Sequence, residues 1–104
     1  MDSSPKSMDK LAMLTAAEGR FQRACDQIVL LNIRLEDTQK RYKRAKNENH
    51  RVFRYPLRLR LASIEGVRNM YYDYAFNMAE RVAELRQELF NETVEIVSVS
   101  GPKA

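Results

Sequence analysis

Residues 40–61 read KRYKRAKNENHRVFRYPLRLRL. Lys40, Arg41, Lys43, Arg44, Lys46, Arg51, Arg54, Arg58 and Arg60 crowd around one proline, Pro56. Whether that proline ends a helix decides the fold, and the flanking sequence supplies the test. Counting outward from Leu14 in alternating steps of three and four gives Leu14, Ala17, Phe21, Ala24, Ile28, Leu31, Leu35, Thr38, Tyr42, Ala45, Asn49 and Val52. Ten of these twelve are apolar, so a heptad repeat with a and d positions turns one stripe of a helix toward a neighbour.

A second run starts beyond the proline: Leu57, Leu61, Ile64, Arg68, Tyr71, Ala75, Met78, Val82, Leu85, Leu89, Glu92 and Ile96. Again ten of twelve are apolar, which makes this an independent helical seam. The runs differ in phase. The first places Pro56 at an a position, while the second needs Leu57 at d, so the slip falls at the proline. Inside a helix, proline removes one hydrogen bond and clashes with the preceding turn, at a cost of ~3 kcal/mol. It also pushes the residue before it away from helical geometry.

The expectation is an all-α chain of two long amphipathic helices, about 9–50 and 58–92, with a turn about 50–57. An antiparallel hairpin would bury both seams and could self-associate into a coiled coil or four-helix bundle. Residues 1–8 are expected to lack regular structure, and 93–104 to be irregular or a short strand before an unstructured end. Two alternatives remain open. A single rod could merely bend at Pro56. Residues 57–61 alternate leucine with arginine, and TVEIVSVS near the end is β-branched, so these segments could pair as strands flanking a helix.

With 104 residues, 44% hydrophobic and 31% charged, the chain is one small domain at most. Its net charge of +4 is unevenly spread: the balance is zero over 1–33, +7 over 34–60 and −3 over 61–104. That asymmetry suits an antiparallel or head-to-tail protein partner before it suits nucleic acid. The polar start MDSSPKSMDK carries no signal-peptide pattern, and no apolar run reaches the roughly 18 residues of a membrane span. An intracellular location, cytoplasmic or nuclear, is expected.

Cys25 and His50 are the only cysteine and histidine, too few for an internal disulfide or a zinc site. No glycine-rich phosphate loop or carboxylate pair in an apolar setting occurs, so neither a cofactor nor enzymatic activity is expected. No motif points to a particular family. The candidate interaction seam consists of Leu14, Phe21, Ile28, Leu31, Leu35, Leu61, Ile64, Tyr71, Met78, Val82, Leu85 and Leu89. The nine cations named above are candidate contacts for an anionic partner.

Several apolar residues fall off the seams: Val29, Leu30 and Ile33 on the first helix, and Val67, Met70, Tyr72, Tyr74 and Phe76 on the second. A two-helix hairpin covers one stripe per helix, so this surplus points to another chain. The reading is a non-enzymatic interaction module, a small coiled-coil adaptor or scaffold subunit that binds itself, as a homodimer, or a partner helix. A nuclear or nucleic-acid-associated regulator working through residues 40–60 is the alternative.

Overall fold

A computed structural model describes residues 5–100. They form two helices, α1 (Pro5–Asn47) and α2 (Arg51–Ser100), which make a helical hairpin. Pro5 opens α1, a position where proline's missing N–H has no intrahelical partner to lose. No strand occurs among the described residues. Both strand candidates lie inside α2. An isolated two-stranded ribbon would be only marginally stable, and valine or threonine lowers helix propensity only slightly. Residues 5–8, expected to lack regular structure, are instead the first turn of α1. Residues 1–4 and 101–104, also expected to be unstructured, lie outside the described residues.

The chain reverses at residues 48–50, ahead of Pro56. Helix α1 stops in a Schellman motif: the His50 amide donates to the Ala45 carbonyl at 2.8 Å, and the Asn49 amide to that of Lys46 at 3.2 Å. This closure needs a left-handed residue, and Asn49 supplies it with φ of 59°. Asparagine tolerates that region better than other side-chain-bearing residues. His50 then starts α2 directly, its carbonyl accepting from Phe53 at 3.1 Å and Arg54 at 3.3 Å.

Pro56 is therefore a residue of α2 and not its boundary, which corrects the placement of the turn at 50–57 and of the second helix at 58. Its missing N–H removes only the third rung of the α2 ladder, the one that would reach the Val52 carbonyl. Val52 is 80% exposed, so water can take that rung's place. At the other end α2 passes residue 92 and runs to Ser100.

The described residues form two compact units, one of those up to residue 21 together with those from residue 76 onward, and one of residues 22–75. In the first, Leu14, Ala17, Val82 and Leu85 form a buried cluster with Leu89 packed against it. Leu85 is 1% exposed. Lys10 lies one heptad step before Leu14 and meets two acids of α2, with Nζ 2.5 Å from Glu92 Oε2 and 3.5 Å from Glu88 Oε1. Arg86 Nη2 donates to Glu18 Oε2 at 2.6 Å. These contacts join residues about 70 to 80 positions apart, which a merely bent rod could not do.

In the second unit, Ala24, Leu31, Leu35, Thr38, Ala45 and Ala75 are buried. Thr38 satisfies its hydroxyl by donating to the Arg34 carbonyl at 2.8 Å. Alanine at four of the nine buried hydrophobic positions among the described residues keeps the core thin.

Candidate interaction surfaces

The heptad positions coincide with burial. From Leu14 to Ala45 every position of the first run is buried or half-buried, including Phe21, Ile28 and Tyr42. Asn49 and Val52, where the run meets the turn, are exposed. From Leu57 to Glu92 every position of the second run is buried or half-buried, with Leu61, Ile64, Tyr71 and Met78 among the half-buried. The candidate seam residues thus face the interior of this chain's own units.

Arg68 is the charged exception within the seam. Its Nη1 donates to Asn32 Oδ1 at 3.5 Å, and its guanidinium lies 5.6 Å from the centre of the Tyr72 ring. Its Nε is buried with no hydrogen-bond partner. Stacking on an aromatic face offsets part of the desolvation of such a cation, by about 0.5–1 kcal/mol at a partly exposed site.

The nine candidate cations fall into two groups. Lys40, Arg41 and Arg44 are held by acids one turn away, Glu36 at 3.6 Å, Asp37 at 3.2 Å and Glu48 at 2.9 Å. Such exposed pairs contribute roughly 0.3–0.5 kcal/mol each. Lys43, Lys46, Arg51, Arg54, Arg58 and Arg60 make no ion pair among the described residues. Glu48 is the single acid in this segment, and hydrogen bonds from Arg44 and then His50 hold its carboxyl below the usual glutamate range. Two shallow hollows open here. Tyr42, Arg51, Arg54, Tyr55 and Arg58 line one of 260 Å³, while Arg41, Arg44, His50, Phe53 and Arg60 contribute to another of 350 Å³.

The third surface is apolar and outward. Among the described residues, 19 large hydrophobic side chains are at least 40% exposed, against nine buried hydrophobic residues of which four are alanine. Val29, Leu30, Ile33, Val67, Met70, Tyr72, Tyr74 and Phe76 are all exposed. Sequence periodicity counted Val52 into the first seam and, because the proline implied a turn, missed Tyr55 and Leu59 as surface residues; all three are exposed. Cys25 is a half-buried free thiol, and no group of three or more potential metal ligands occurs among the described residues. No described helix is long and apolar enough to cross a membrane. No family model, curated protein or solved structure matches the chain.

Proposed function

We propose that this chain is a non-enzymatic interaction module, a helical hairpin that presents apolar helix faces to another protein chain as a small adaptor or scaffold subunit. The observation that carries this reading is the excess of large exposed apolar side chains over buried ones. Scattered surface leucines are ordinary, but contiguous apolar stripes on a small domain mark interaction surfaces. The heptad seams act inside the chain, so a partner is met through the off-seam residues. Light scattering over a wide concentration range, with circular dichroism of Leu31→Asp and Leu85→Asp, tests it. A particle that stays monomeric, with helix content indifferent to both substitutions, overturns the reading.

A second reading is favoured by the six cations that make no ion pair among the described residues, beside Tyr42, Phe53 and Tyr55. A nucleic-acid strand would find phosphate contacts and stacking rings there. In that case affinity falls by roughly 0.7–0.9 log units per phosphate contact for each tenfold rise in salt. No detectable binding of single or double strands at low salt removes it.

A further inference from the structure

Along the outer face of α2, Val52, Tyr55, Leu59, Val67, Met70 and Tyr74 are between 40% and 80% exposed. With Ser63 between Leu59 and Val67, steps of three or four residues connect this line, so the six share one helix face, distinct from the seam of Leu57, Leu61, Ile64 and Tyr71. The spacing is nearly palindromic about Ser63. The first three precede it by 11, 8 and 4 residues, and the last three follow it by 4, 7 and 11. At the centre stand Ser63 and Gly66, both exposed, and a Cβ built on Gly66 would meet nothing within 4 Å. No neighbour in this chain calls for a glycine at that point of a helix.

We propose that this face pairs with the same face of a second copy, antiparallel, about a two-fold axis at Ser63. The proposal rests on the reading of the chain as an interaction module and names its partner. A line of side chains that reads alike in both directions matches itself when the copies run in opposite directions, as an arbitrary line would not. Val52 of one copy then meets Tyr74 of the second, Tyr55 meets Met70, and Leu59 meets Val67. Between them the small side chains at 63 and 66 allow close backbone approach. The contact is isologous and closes on itself as a dimer.

Charge selects the same direction. Residues 51–60 hold four arginines and no acid, whereas 63–75 hold Glu65, Asp73 and one arginine, Arg68. Antiparallel pairing brings Arg51 of each copy opposite position 75 of the other, within a side chain's reach of Asp73. Both residues are exposed, and neither has an ion-pair partner among the described residues. A parallel pair would set the arginine-rich halves against each other. The stripe extends over about 33 Å of helix, roughly six turns.

The test uses the full chain with Cys25→Ser as background. Ser63→Cys is expected to form a disulfide-linked dimer several-fold faster than the exposed control Gln39→Cys, because only position 63 faces itself across the axis. Met70→Glu is expected to raise the dimer dissociation constant on the order of 100-fold by burying an unpaired charge. Circular dichroism should show its helix content unchanged, since Met70 is 71% exposed. Arg51→Asp should weaken the dimer, and adding Asp73→Arg should restore it. A dimer that survives Met70→Glu and gives no preferential crosslink at 63 overturns this pairing and leaves the wider reading standing. A wild-type chain that stays monomeric also overturns the pairing alone, because the wider reading admits a different partner chain. Monomers that float with anionic vesicles would assign the stripe to a lipid surface and overturn it too.

Discussion

Replacing Pro56 by alanine separates two accounts of the chain reversal by the sign of its effect. If the proline made the turn, its loss would loosen the hairpin or extend the helix into a domain-swapped dimer. With Pro56 inside α2, alanine restores the hydrogen bond to the Val52 carbonyl, a net gain of ~1 kcal/mol. Relief of the contact between the ring and that carbonyl adds to this. The full interior penalty of ~3 kcal/mol is an upper limit, because Val52 is exposed and its carbonyl can already bond water. Against the gain stands the larger entropy of the unfolded alanine chain, about 0.4–1 kcal/mol. The balance is a stabilisation of about 1 kcal/mol, or roughly 4–8 °C in melting temperature for a chain of this size. Thermal and urea unfolding followed by circular dichroism at fixed protein concentration measures it. The companion change Asn49→Ala should destabilise by ~1–2 kcal/mol, since alanine resists left-handed geometry, while Asn49→Gly should not. Destabilisation by Pro56→Ala, or indifference to Asn49→Ala, refutes the placement of the turn at 48–50.

Leu85→Ala removes three carbons from the tightest point of the core, a transfer loss of about 2.4 kcal/mol. An open hollow of 680 Å³ beside Leu85 lets water or side chains relax into the space, so the loss should stay near the low end of the 2–5 kcal/mol range. Leu11→Ala, at a 56% exposed site, should cost under 0.5 kcal/mol by the same urea assay, to order of magnitude. Dye labels at Ala16→Cys and Glu84→Cys, in the Cys25→Ser background and diluted with unlabelled chain, should report a short separation because both positions line that hollow. A value near the roughly 100 Å of a straight 68-residue helix would refute the hairpin. The hydrogen bond to Glu92 raises the Lys10 pKa against the opposing effect of partial burial. Its contribution is therefore full below the ordinary lysine value and lost as pH rises through the folded one. Lys10→Met should flatten that alkaline limb relative to wild type. For Glu48, held low by Arg44 and His50, the sign reverses: its contribution is full above the ordinary glutamate value and lost as pH falls through the folded one. Glu48→Gln should flatten the acid limb.

Sequence alone determined the two seams, because a 3–4 repeat of apolar residues has one geometric meaning on a helix. Each position from Leu14 to Ala45 and from Leu57 to Glu92 is shielded, Thr38 and Arg68 included. It also carried the excess of apolar residues at Val29, Ile33, Val67 and Met70. The place of the reversal was not legible in the same way. Two stop signals stand seven residues apart, and composition favours the proline because its penalty is larger in a helix interior. Penalties depend on position, however. Three rungs from a helix start proline loses one solvated hydrogen bond, whereas Asn49 is required to take a left-handed conformation that closes two. The pairing of Lys10 with Glu92 likewise depended on the register between α1 and α2. Lys10 sits at a d position if the first seam is extended backward, but nothing local to either residue names its partner 82 positions away. Local chemistry determines which face of each helix turns inward, because side-chain direction repeats with the backbone. Where the chain reverses is set by the left-handed closure at Asn49, which becomes visible only in the folded backbone. Which charges then meet depends on long-range contacts that only the folded hairpin brings within reach.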